Sequence, residues 1–334
     1  MPFAVRTEGL EREFKGGIRA VDGVDLEVST GEVYGFLGPN GAGKSTTVRM
    51  LTTLLRPTGG VAFVAGHDVV REASAVRESI GVALQDAAID PFMTGRELLR
   101  LQGVLHGLRR PAGKARAAEL LERVGLTDAA DRRVGTYSGG MRRRLDLAMA
   151  LVHEPRVMFL DEPTTGLDPT SRFALWEEVR RLNSEAGTTV FLTTQYLEEA
   201  DQLAGRVSII DDGHIVAEGT PAALKAEIGD PTLTVTLQRP EDAATAEAAL
   251  EDLGRAAPSE SGRVCLRLPD GAAALPEVVR RLDMAGVPAA GLDIAQPTLD
   301  DVFLVKTGRR LEGDAVDEEE PVAGAAEAAA PSST

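Results

Sequence analysis

Short apolar, β-rich runs alternate with helical ones along the first two thirds of the chain, and residues 24–28, 33–37, 61–64, 80–84, 157–161, 189–193 and 207–210 read as strands. Alternation of this kind implies parallel strands covered by helices. The runs 33–37 and 157–160 lack a polar residue at every second position, as central strands buried on both faces should. Between Gln85 and Ser138 the β signal disappears. Helical patterns take over there, one of them opened by Thr94-Gly95-Arg96-Glu97, a capping box ahead of Leu98, Leu99 and Leu101. After Gly229 the character changes again: 232–237 alternates as a half-buried strand, followed by a helix, a strand at 264–268, a helix, a short strand at 292–295 and a helix from Thr298. The expected organisation is a large α/β domain over 1–229 with an inserted helical subdomain at about 86–150, then a small α+β accessory domain over 230–311.

Composition narrows this picture. Hydrophobic residues make up 43% of the 334, yet there is one Trp and three Tyr, so an aliphatic core is expected. The net charge of −16 argues against a general nucleic-acid binder, which needs a concentrated positive surface. Part of that charge is local: from Leu311 onward there are seven carboxylates and no Lys or Arg, in a background of Ala, Pro, Gly, Ser and Thr. Such a segment cannot bury enough apolar area to offset its chain entropy, and 312–334 is expected to be a disordered acidic tail. A lone Cys265 excludes an intramolecular disulfide and a Cys-rich metal site and fits a reducing cytoplasm. The four His are scattered without ligand spacing, so no transition-metal site is expected. No signal peptide and no run of 18 apolar residues is found, so any membrane spans would come from another polypeptide.

The chemistry lies at the ends of the apolar runs. Gly38-Pro39-Asn40-Gly41-Ala42-Gly43-Lys44-Ser45 fits G-x-x-x-x-G-K-[ST], a loop whose backbone N–H groups wrap phosphate oxygens, and it leads into a helix expected from Thr46 to residue 55. Lys44 would neutralise the β and γ phosphates and the Ser45 hydroxyl would ligate Mg²⁺. The buried run from Val157 ends in Asp161 and Glu162: one acid to hold Mg²⁺, the other to polarise an attacking water. Ser138-Gly139-Gly140 opens a further helix and offers a second anion site, and the Arg142, Arg143 and Arg144 that follow read as a solvated face.

Together these motifs make residues 3–229 resemble the ATP-binding subunits of ABC transporters. Their order matches: the phosphate loop, Gln85 after a strand, Tyr137-Ser138-Gly139-Gly140-Met141, Asp161-Glu162, then Gly166-Leu167-Asp168. The resemblance implies a P-loop NTPase fold with a mostly parallel sheet and an antiparallel β part, ATP and Mg²⁺ as ligands, and a head-to-tail dimer. In that dimer Ser138, Gly139 and Gly140 of one copy complete the site built on Lys44 of the other. It also implies that Phe14 stacks on adenine, that residues 38–46, Thr46 included, hold the nucleotide, that Gln85 senses Mg²⁺ and contacts the membrane subunit, and that Asp168 communicates across the dimer. Two departures narrow the branch: Tyr-Ser-Gly-Gly-Met stands where Leu-Ser-Gly-Gly-Gln is common, and Gln195 stands where most members carry a γ-phosphate-contacting His. These residues, with Pro297-Thr298-Leu299-Asp300-Asp301-Val302-Phe303-Leu304, resemble the daunorubicin-resistance type of drug-export ATPases. The expectation is an ATPase at the cytoplasmic face of a bacterial membrane, powering export through a separate permease. The alternative is an ATP-switched assembly or regulatory protein without transport.

Overall fold

The computed structural model describes residues 3–84, 89–257, 259, 262–269 and 271–309; Gln85 and the tail 312–334 lie outside them. The chain opens with β1 (Phe3–Phe14), β2 (Ile18–Ser29) and β3 (Val33–Leu37), and continues through α1 (Lys44–Leu51), β4 (Gly59–Val64), β5 (His67–Asp68), α2 (Ala73–Ser79) and β6 (Ile80–Ala83). It then turns helical with α3 (Gly95–Leu105), α4 (Arg110–Arg123) and α5 (Gly139–Ala150). Strands then return among helices, in the order β7 (Val157–Asp161), α6 (Pro169–Ala186), β8 (Thr189–Thr194), α7 (Leu197–Leu203), β9 (Arg206–Asp211), β10 (His214–Gly219) and α8 (Pro221–Ile228).

The main sheet has the order β10-β9-β3-β8-β7-β6, parallel throughout except for β10. Strands β7 and β8 are buried at every position and β3 at all but its first, which is why none of them alternates. The core is mainly Val, Leu, Ile and Ala, as composition suggests, with one aromatic cluster at the centre of this sheet. Tyr34, Phe36 and Phe159 pack around Phe191 with ring centroids 5.5 to 5.7 Å from it, on the adjacent central strands β3, β8 and β7.

A second, antiparallel sheet has the order β2-β1-β4-β5. Its longest hairpin was only half visible in the pattern, since β1 carries Glu8, Glu11, Arg12 and Glu13 and its alternation breaks at Gly9. Gly9 has φ of +54° and the pairing with β2 shifts between Thr7 and Leu10, as at a β-bulge. Helix α1 is shorter than expected: Thr53, at φ +66°, ends it in a left-handed turn before Pro57. The helical insertion begins at the capping box, where Thr94 N–H donates to Glu97 Oε2 at 2.8 Å and Glu97 N–H to Thr94 Oγ1 at 3.2 Å. Its core is Leu98, Leu99, Leu120, Leu121 and Leu145, closed by Tyr137, whose hydroxyl donates to Ala129 O at 2.6 Å.

The remainder runs β11 (Thr232–Leu237), α9 (Ala243–Leu250), β12 (Arg255–Ala257), β13 (Arg263–Arg267), α10 (Leu275–Met284), β14 (Ala289–Ala295) and α11 (Leu299–Thr307). The antiparallel order β12-β13-β11-β14 on a βαββαβ path is the ferredoxin-like arrangement, and β14 pairs with β11 so that Ala295 lies opposite Thr232. Helix α11 leaves that fold. Its Leu299, Val302 and Phe303 are buried with Leu224 of α8, Leu197 and Ala200 of α7, and Leu37, Val207 and Ile209 of the main sheet.

Candidate functional site

The phosphate loop leaves β3 at the centre of the sheet and returns into α1. Gly41 and Gly43 have φ of +85° and +109°, a region that Cβ disfavours. A Cβ on Gly38 would meet Ile210 O at 2.3 Å, and one on Gly43 would meet Ala20 O at the same distance. Gly43 is also the residue before α1 and no side chain caps that helix, which leaves the first-turn N–H groups open to an anion. Pro39, Asn40 and Ala42 complete the loop, and Thr46 follows in the first turn of α1.

Two acidic residues face this loop from β7. Ser45 Oγ donates to Asp161 Oδ1 at 3.2 Å, and Lys44 Nζ lies 3.3 Å from Glu162 Oε1 while donating to Gly38 O at 2.7 Å and Pro39 O at 3.0 Å. Burial lowers the Lys44 pKa, opposed by the charges of Glu162 and Asp161. Glu162 is a non-glycine residue at φ +47°, a sparsely populated conformation that persists only where its surroundings hold it. Thr193 supplies part of that hold: its Oγ1 donates to Asp161 Oδ1 at 2.5 Å, and Glu162 N–H reaches both Thr193 O and Thr193 Oγ1 at 3.1 Å. No local motif marks Thr193 as an orienting residue. The signal that finds it is register, because Asp161 and Thr193 are opposite one another in the β7–β8 ladder.

Ser138 caps α5 by accepting from Met141 N–H at 3.2 Å. Gly140 packs so closely on the start of α6 that a Cβ there would lie 2.5 Å from Ser171 Oγ, and Ser171 donates through Oγ and N–H to the cap residue Asp168 at 2.6 and 2.9 Å. Those two bonds hold the Asp168 carboxyl below the usual range. Ser138, Gly139, Gly140 and Asp168 therefore belong to one cluster, and Lys44, Ser45, Asp161 and Glu162 to another. Phe14 closes β1, more than a third exposed, with the Arg12 guanidinium 4.7 Å from its ring centroid. Gln195 follows β8, and its buried Oε1 has no hydrogen-bond partner among the described residues, as suits a group aimed at something polar. Gln85 falls outside the described residues. The arginine run is not the solvated face expected: Arg142 is exposed, but Arg144 donates to Val124 O at 2.9 Å and Arg143 turns inward, its side chain 11% exposed. Among the described residues no helix is long and apolar enough to cross a membrane.

Residues 21–165 match the family described as ABC transporter, and residues 219–307 match the C-terminal domain family of DrrA1-3-like ATP-binding proteins. The chain is 51% identical over 305 residues to the daunorubicin resistance ATP-binding protein DrrA3 of Streptomyces coeruleorubidus, across 91% of this chain and 96% of that one. It is 48% identical over 321 residues to the daunorubicin/doxorubicin resistance ATP-binding protein DrrA of Streptomyces peucetius, across 94% and 96% of the two chains. Among solved structures it resembles the dimeric post-hydrolysis state of the ATP-binding cassette MJ0796 bound to ADP and Pi, with a TM-score of 0.60 and 26% identity over 65% of this chain and 98% of that one.

Proposed function

This chain belongs to the ATP-binding subunits of ABC transporters, and on that premise we propose that two copies hydrolyse ATP between them to drive a separate membrane subunit exporting hydrophobic drugs. The observation that carries the reading is the convergence of Lys44 and Ser45 on Glu162 and Asp161 over the uncapped start of α1. Backbone N–H groups of residues 41–46 cradle the phosphates, and the Lys44 ammonium neutralises their charge. Ser45 and Asp161 are hard oxygen donors facing one another, a set that fits Mg²⁺, which when bound would offset charge on the transferring phosphoryl group. Glu162 orients and polarises the attacking water, and Thr193 holds both carboxylate-bearing residues in place. Gln195 stands beyond β8 with an amide that can donate to a γ-phosphate and, unlike His, does not titrate near neutral pH.

Ser138, Gly139 and Gly140 of the second copy close the site from the opposite side, with Asp168 beside them at the dimer face. Phe14 offers its ring to adenine, and Gln85 joins the Mg²⁺ site to the membrane subunit. A groove of about 420 Å³ between the helical insertion and the main sheet, lined by Leu54, Ile80, Val82, Leu84, His106 and Met149, is the seat for that subunit. Exposed Val104 and Leu105 on α3 extend the apolar surface beside it. On this reading the chain works at the inner face of a membrane that another polypeptide spans. The drug assignment rests on relatives named for daunorubicin and doxorubicin resistance.

The test is Glu162→Gln in the full chain. It is expected to lose about 10²-fold or more in ATP turnover while forming an ATP-dependent dimer by light scattering. Undiminished turnover would remove Glu162 from the mechanism. Transport is checked by reconstituting the chain with its membrane subunit in vesicles and following ATP-dependent movement of daunorubicin.

A further inference from the structure

Arg143 lies on α5, five residues beyond Ser138, and its guanidinium is shared among three carbonyls on two distant stretches of chain. Nη1 donates to Leu84 O at 2.6 Å, Nη2 to Asp161 O at 2.9 Å and Nε to Pro163 O at 2.9 Å. Asp146, one turn further along the helix, faces Nη1 at 3.4 Å, and both side chains are almost wholly buried. The choice of carbonyls is informative. Leu84 is the residue that leads into Gln85, while Asp161 and Pro163 flank Glu162, so the carbonyls of the residues before and after the left-handed Glu162 are held by one side chain. Only a planar guanidinium has enough donors in a fixed fork to do this; an ammonium on a flexible stem cannot span the same three acceptors.

We propose that Arg143 is a positioning residue that ties the helix carrying Ser138 to the carboxylate end of β7, so that engagement of one copy's α5 with the other copy's nucleotide sets the geometry of Asp161 and Glu162 in its own copy. The inference rests on the composite-site reading given above. The lever is short, since Ser138 and Arg143 are about 7 Å apart along one rigid helix, and a shift of the helix at its first turn is a shift of the guanidinium. The same side chain extends the tie to Leu84, just past the end of the neighbouring strand β6. Arg143 touches no reacting atom in this scheme. It decides whether Glu162 stands where the water must be held.

Two variants of the full chain test this. Arg143→Lys keeps the charge opposite Asp146 but not the fork, and the double variant Arg143→Met/Asp146→Leu removes the pair without stranding a buried carboxylate. Each is measured for binding of a fluorescent ATP analogue, for ATP turnover, and, in a Glu162→Gln background, for ATP-dependent dimerisation. The expected result is a kcat lower by about tenfold to a hundredfold in both variants, with analogue affinity within about twofold of the parent and dimerisation retained. A kcat within twofold of the parent in either variant overturns the proposal. So does a loss of affinity and dimerisation in step with kcat, which would mark Arg143 as ordinary packing. Failure of Glu162→Gln itself to dimerise would instead overturn the composite-site reading, and this inference with it.

Discussion

Side chains around the two carboxylates are held by partners far away in sequence, and this is where single substitutions should separate roles. Thr193→Val keeps the shape of a β-branched residue and removes the hydroxyl shared by Asp161 and Glu162 N–H. It should cost about 1–3 kcal/mol of stability in urea titrations and lower kcat more than the affinity for ATP. Equal losses in both would show that Thr193 only packs. Asp146 makes a second case. Burial pushes its carboxyl up to about 6, with Arg143 opposing that rise. Because the folded value lies above the unfolded one near 4, the contribution to stability is complete below about pH 4 and lost as pH rises through 6. Relative to the parent, Asp146→Asn should therefore gain up to about 3 kcal/mol between pH 4 and pH 7.5, read from denaturation midpoints. A flat difference would place the titration elsewhere. Lys44, Ser45, Asp161 and Glu162 were legible because each sits in a local motif whose spacing states its chemistry. Thr193 and Arg143 were not, since one acts through strand register and the other through a side chain that reaches two segments distant in sequence.

Among the elements, the buried strands announced themselves by lacking alternation, and α3 by its capping box. The hairpin of β1 and β2 was half hidden because its outer face is charged and a glycine breaks its period. Helix α11 shows a different limit. Its start at Thr298 was readable, and Thr298 does form a capping box with Asp301. Its destination was not, because a short amphipathic helix carries no sign of which neighbour will cover it. Phe303 is fully buried among Leu37, Leu197 and Leu224, so Phe303→Ala should destabilise the ATP-binding unit itself by about 3–5 kcal/mol. A calorimetric loss confined to a separate transition of the ferredoxin-like fold would contradict this.

For the molecule as a whole, the parallel sheet, the helical insertion and the second α+β fold were all expected from the order of elements, and the mainly aliphatic core from the composition, while the aromatic cluster around Phe191 was not foreseen. The path of the last helix makes a prediction at this scale. A chain ending at Gly229 loses α11 and uncovers Leu197, Val207 and Leu224, and it should be less stable and less soluble than the full chain. A chain in which a short turn replaces 232–295 keeps α11 and should retain most of the melting temperature of the ATP-binding unit. Comparing the two by thermal unfolding and sedimentation separates the helix from the fold that precedes it.

The rung that sets Thr232 opposite Ala295 has a consequence for how such a chain can diversify. Neighbouring strands bring facing residues to about 5 Å, so the whole ferredoxin-like unit hangs from one narrow stalk, with its outgoing and returning chain side by side. In genetic terms the stalk is a graft union: a different scion of any length can be spliced at that point without re-fitting the rootstock, provided the helix beyond it still finds its place.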